Sequence, residues 1–189
     1  MLEWEELIKE CSGCQKCSLG RTRKNIVIGR GNVNAPILFV GEGPGEQEDN
    51  QGKPFVGPAG KLLDLLLNAL LFREADYYIA NIVKCRPPGN RVPLDEEAEK
   101  CLPFLRNQVY LMRPQIIVCL GSTAMKYIVD KDAKITQIRG NWIERKGYWI
   151  MPTFHPAALL RDDSKKIQMW QDLKKVKQRL EELCQNKTG

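Results

Sequence analysis

No apolar run in this chain approaches the roughly 18 residues that a membrane span requires. A typical run, Ala35-Pro36-Ile37-Leu38-Phe39-Val40, stops at Gly41. A transmembrane helix is therefore excluded, and no membrane partner is expected. Internal repeats and low-complexity tracts are also missing. The first residues, Met1-Leu2-Glu3-Trp4-Glu5-Glu6, are acidic where a secretory signal carries basic ones, so the expected location is cytoplasmic. Charge of one sign is not in large excess: 29 Lys and Arg stand against 23 Asp and Glu, for a net charge of +6. With 43% hydrophobic residues, that balance argues against disorder. It permits an anionic partner without requiring one. The 189 residues suit one domain with a substantial core.

Cysteine is not scarce, but its number is odd. Seven lie at Cys11, Cys14, Cys17, Cys85, Cys101, Cys119 and Cys184. An odd count in an unexported chain argues for reduced thiols, which are either buried small hydrophobes or metal ligands. Cys14-x-x-Cys17 has the spacing that lets two thiolates grip one metal. With Cys85 and Cys101 it makes a set of four that suits tetrahedral zinc or an iron–sulfur cluster. Cys11-x-x-Cys14 is a competing pair, and Cys85 and Cys101 also read as ordinary core residues. Cys119, in an apolar run, and Cys184, near the end, are not expected to be ligands.

Four short apolar runs read as strands: Ile37 to Val40, Tyr77 to Ile82, Ile116 to Leu120 and Tyr148 to Met151. Helical patterns alternate with them at Pro58 to Leu71, Asp95 to Met112, Ser122 to Val129 and Ser164 to Leu183. The alternation predicts an α/β fold with a mostly parallel sheet covered on both faces. Ligands of such sheets bind outside the carboxyl ends of the strands. Three of those ends carry useful chemistry: Glu42 in Gly41-Glu42-Gly43-Pro44-Gly45, Asn81, and His155, the single histidine.

Each of these has a plainer reading. The glycine-rich segment lacks the lysine of a P-loop and does not spell the dinucleotide fingerprint, so it serves equally as a tight turn with a solvated Glu42. If it is functional, its glycines permit close approach of a ligand to the backbone. A lone histidine is more often packed than catalytic, and only its strand-end position favours function. Phe55 reads as core when taken alone.

Taken together, the pieces closely resemble the family 4 uracil-DNA glycosylases, the iron–sulfur branch of that superfamily. The resemblance runs from Cys14 to about Trp170. It rests on Cys14-x-x-Cys17, the Gly41–Gly45 segment and Gly52-Lys53-Pro54-Phe55-Val56-Gly57-Pro58-Ala59-Gly60. It continues in Asn81-Ile82-Val83-Lys84-Cys85-Arg86-Pro87-Pro88-Gly89-Asn90-Arg91 and His155-Pro156-Ala157-Ala158-Leu159-Leu160-Arg161.

The resemblance implies a three-layer α/β/α fold with a four-stranded central sheet. It also implies one uracil-DNA glycosylase-like domain over residues 1–189, with an N-terminal cluster-binding arm over about 1–30. A [4Fe–4S] cluster held by Cys14, Cys17, Cys85 and Cys101 is implied as cofactor. The implied partner is uracil-containing DNA, bound by a monomer associated with the nucleoid.

A base inside a duplex must be flipped out before it can be cut. Phe55 is the expected platform for the flipped ring, with the backbone of Gly41 and Gly43 along one edge. Asn81 accepts from uracil N3–H and donates to O4, and Glu48 blocks the methyl of thymine. Leu159 or Leu160 wedges the vacated stack, and Arg86, Arg91 and Arg161 hold phosphates. His155 donates to uracil O2 as charge develops there. In the best-known branch an aspartate follows the glutamine of the first motif; Gly43 fills that place here. Glu42 or Asn90 is then expected to activate or orient water. The competing expectations are a glycosylase for another deaminated base such as hypoxanthine, and a non-catalytic iron–sulfur DNA-binding module. A zinc scaffold is the third.

Overall fold

The computed structural model describes residues 2–185, so the two ends of the expected 1–189 domain lie outside the described residues. From the amino end it runs through α1 (Trp4–Ser12), α2 (Leu19–Thr22), β1 (Arg30–Gly31), β2 (Ile37–Gly41), α3 (Glu46–Gln51) and α4 (Pro58–Ala69). It continues through β3 (Tyr77–Asn81), α5 (Asp95–Met112), β4 (Ile116–Leu120), α6 (Ser122–Ile128) and α7 (Ile135–Ile138). The last elements are β5 (Ile143–Arg145), β6 (Tyr148–Thr153), α8 (Pro156–Leu159) and α9 (Ser164–Gln185).

The strands form one sheet in the order β1-β3-β2-β4-β6-β5. The inner four, β3, β2, β4 and β6, are parallel to one another, and the short β1 and β5 close the two edges antiparallel. The sheet therefore has six strands where four are expected. The additional pair escapes a search for apolar runs because β1 is Arg-Gly and β5 is Ile-Glu-Arg. Both cap a sheet edge with short, polar segments, as edge strands do.

Every residue of β2, β3 and β4 is buried, which is why these strands read as continuous apolar runs rather than alternating ones. Successive side chains feed opposite faces. Ile37 and Phe39 enter one core with Leu63 and Leu67 of α4 and Met169 and Leu173 of α9. Leu38 and Val40 enter the other with Leu102 and Leu105 of α5. The amino-terminal segment packs through Leu7 and Cys11 of α1 against Phe104 of α5. Among the described residues no helix is long and apolar enough to cross a membrane.

Parallel register brings the carboxyl ends of the central strands to one edge. Gly41 of β2 lies opposite Asn81 of β3, and Leu120 of β4 lies opposite Thr153 of β6. Glu42, Asn81 and His155 thus emerge beside one another.

Candidate uracil-reading site and cysteine cluster

A cleft of about 260 Å³ opens at that edge, lined among others by Glu42, Gly43, Glu48, Phe55, Asn81, Asn90, Arg91 and His155. The strand that ends beside it, β2, ends in a glycine. A Cβ on Gly41 would lie 2.5 Å from Asn81 Oδ1 and 2.7 Å from Phe55 Cζ, so only glycine lets both side chains cross the strand end. At Gly43 a Cβ would meet Val83 Cγ2 at 2.7 Å. The close approach read from these glycines is thus made by the protein's own side chains.

Phe55 sits in the left-handed region at φ 55°. Two contacts hold it there. Glu48 Oε1 accepts from the amides of Val56 (2.9 Å) and Gly57 (2.8 Å). Gly60 lies so near that a Cβ would come within 1.9 Å of the Phe55 carbonyl oxygen. Glu48 therefore anchors the loop that presents the ring, whatever else it touches. The Phe55 ring lies 5.6 Å from that of His155, tilted by 32°.

Asn81 is 1% exposed, and its Oδ1 has no hydrogen-bond partner. A buried amide oxygen without a partner is costly, and native proteins keep few of them.

His155 caps α8: its Nδ1 accepts from the amide of Ala157 at 3.1 Å. With Nδ1 an acceptor, the ring proton of the neutral form is on Nε2. Burial, helped by the charge of Arg161, pulls the His155 pKa down to about 4, so the imidazole is neutral at pH 7. Glu42 accepts a hydrogen bond from the Thr123 hydroxyl at the start of α6, a partner that sequence reasoning missed.

The expected DNA contacts are divided by the fold. Leu159 is fully buried in the core while Leu160 is 51% exposed, so the wedge expected at either leucine has only Leu160 available. Arg91 is bound through both terminal nitrogens to Glu97, at 2.7 and 2.8 Å, and is not a free cation. Glu97 also accepts from Ser18 Oγ and the Leu94 amide, and its pKa falls to about 2, chiefly through Arg91. Arg86 Nε donates to Asn90 Oδ1 at 2.7 Å. That bond takes one of the two lone pairs of the Asn90 oxygen. Arg161 is exposed and lines a neighbouring cavity together with Glu42 and His155.

Cys14, Cys17, Cys85 and Cys101 line a second, smaller pocket, and Cys11 joins them. Cys119 is buried in β4 and Cys184 is exposed, both away from this pocket. Arg23 donates to Cys85 Sγ (3.1 Å) and to the Cys14 carbonyl (2.9 Å), and the Lys84 amide donates to Cys101 Sγ at 3.3 Å. Burial pushes the Cys101 thiol up to about 11 and the Cys11 thiol to about 12. Among the described residues no three His, Cys, Asp or Glu side chains are grouped so as to hold a metal ion.

A mostly parallel sheet with a carboxylate, an amide and an imidazole gathered in a cleft at one edge defines an α/β protein with a polar cleft at the carboxyl ends of its central strands. Residues 28–174 match the family model described as "Uracil DNA glycosylase superfamily". The chain is 47% identical over 176 residues to the Type-4 uracil-DNA glycosylase of Thermotoga maritima, spanning 91% of this chain and 90% of that protein. It is 41% identical over 191 residues to the Type-4 uracil-DNA glycosylase of Archaeoglobus fulgidus, spanning 97% and 94%. A more distant similarity, 29% over 146 residues, extends to the Type-5 uracil-DNA glycosylase of Pyrobaculum aerophilum, spanning 68% and 64%. The chain belongs to the uracil DNA glycosylase superfamily, in its Type-4 group.

Proposed function

We propose that this protein flips uracil out of DNA and hydrolyses its N-glycosidic bond, leaving an abasic site. The observation that carries the reading is the orphaned Oδ1 of Asn81. It is an acceptor held without a partner at a cleft lined by Phe55 and His155. Uracil N3–H supplies the missing donor, whereas cytosine N3 is an acceptor and would oppose it.

The flipped ring stacks on Phe55, which the Glu48 anchor and the close packing of Gly60 hold rigid. As the glycosidic bond breaks, negative charge grows on uracil O2, and Nε2–H of neutral His155 donates to it. A donor already in place as the charge appears needs no reorganisation, the largest single term in many such reactions. Glu42, held by Thr123, faces the cationic sugar and orients the water that adds to it. Asn90 supports the site through Arg86. Leu160 fills the stack, and Arg161 and Arg86 meet phosphates. Arg91 acts through Glu97 on the loop that bears Asn90.

Cys14, Cys17, Cys85 and Cys101 are the proposed ligands of a [4Fe–4S] cluster. The all-sulfur donor set and its two N–H donors to sulfur suit a thiolate-ligated group. When bound, the cluster ties the amino-terminal arm to the segment bearing Arg86.

The test is incubation with oligonucleotides containing U, T, C or hypoxanthine, followed by alkaline cleavage at abasic sites. Cleavage at U alone is expected. Cleavage at hypoxanthine with U intact would transfer the function to another deaminated base, and no cleavage anywhere would leave a DNA-binding module.

A further inference from the structure

Lys84 is the most deeply buried cation among the described residues, at 1% exposure, and nothing in the proposed chemistry uses it. Its ammonium donates to the Asn81 carbonyl oxygen (2.8 Å) and to Gln108 Oε1 (2.7 Å). Both acceptors are neutral, and among the described residues no Asp or Glu pairs with it. Gln108 is itself held, donating to the Ile28 carbonyl at 3.0 Å. A buried charge without a counter-charge is strongly unfavourable, so a partner is to be sought nearby. Lys84 lines one pocket with Cys101 and Cys11. It also precedes Cys85 and gives its own amide to Cys101 Sγ.

We infer that Lys84 is a positioning residue that joins the cysteine pocket to the base-reading amide: the thiolate-bound group supplies the counter-charge of its ammonium, which in turn clamps the Asn81 backbone at the end of β3. The inference rests on the proposed function and adds a coupling to it. Through this clamp the charge at the cysteines reaches the cleft, because Asn81 carries its own orphaned Oδ1 one side chain away from the held carbonyl. A purely structural lysine would hold the fold but leave the electronic properties of the cluster untouched.

Lys84→Met removes the ammonium and keeps most of the apolar stem. At equal iron content, single-turnover uracil excision should fall about tenfold, the loss expected for one hydrogen bond to a charged group. Affinity for abasic DNA should not change, since Lys84 is remote from the surface. The midpoint potential of the cluster should become more negative, because a lost positive charge makes an added electron less favourable. Gln108→Glu provides a nearly isosteric second variant: a carboxylate competes for the ammonium, and both the potential and the excision rate should fall. A potential and a rate equal to wild type in either folded, iron-loaded variant overturn the inference. Wild-type protein assayed in parallel separates the two ideas: absence of excision or of iron there defeats the proposed function, not the coupling alone.

Discussion

The imidazole of His155 and the amide of Ala157, two residues on, are joined by a 3.1 Å hydrogen bond in which Nδ1 is the acceptor. The bond both caps α8 and leaves Nε2 as the protonated nitrogen of the neutral ring, which lines the cleft. If that nitrogen stabilises the departing uracil, its contribution is greatest in the transition state. His155→Ala should lower single-turnover excision by roughly 10²- to 10³-fold. Binding to abasic DNA should change little, because Arg86 and Arg161 still meet phosphates. Weakened DNA binding with excision intact would make the histidine a docking residue.

The same imidazole predicts a pH dependence. Its folded pKa of about 4 lies below the ordinary value of 6.5. As pH falls, the unfolded chain takes up the proton first, so the stability contributed by neutral burial is complete above 6.5 and is lost as pH falls through the window from 6.5 to 4. Thermal melts of wild type should weaken across that window more than those of His155→Ala. The rate of excision should show no acid limb near 6.5 attributable to this residue, since the donor remains neutral there. An acid limb at 6.5 that disappears in His155→Gln is the contrary result.

Asn81 offers a test of base reading. Asn81→Asp should lower uracil excision and admit cytosine, because a protonated carboxyl presents donor and acceptor in the reversed order. Asn81→Ala removes the orphaned acceptor, and uracil excision at the wild-type rate would show that the amide does not read the base.

Thr123 and Glu42 form a pair whose members act at different removes. Glu42→Gln should lower excision by roughly 10²-fold if a carboxylate acts on water. Thr123→Val, which loses only the orienting hydroxyl, should cost a smaller factor, about tenfold. Near-normal turnover of Glu42→Gln moves the water to a backbone-held position.

The cysteines divide by pocket. Cys85→Ser or Cys101→Ser should lose iron and solubility together, since ligation contributes directly to folding. Purified wild type should carry about four irons. Cys119→Ser, in the interior of β4, should keep its metal. Stoichiometric zinc without iron in anaerobically prepared wild type contradicts the cluster.

Much of this architecture is legible from local pattern alone. Strands buried on both faces are apolar along nearly their whole length, so β2, β3 and β4 announce themselves, and parallel pairing then brings Glu42, Asn81 and His155 to one edge. The motif residues from Cys14 to Arg161 likewise suffice to place the chain in its family. Tertiary structure decided what sequence spacing cannot encode, namely which of two equivalent neighbours faces solvent and which charges are already taken. Leu159 and Leu160 are the same residue type at adjacent positions, and only the packing of α8 buries one and exposes the other. Arg91 looks like a free cation until Glu97, six residues on, turns back to bind it. Thr123 lies outside every quoted motif, and Lys84 lies inside one that assigns it no role. Their roles arise from contacts across 81 residues to Glu42 and across 24 to Gln108, distances in sequence that only the folded chain closes.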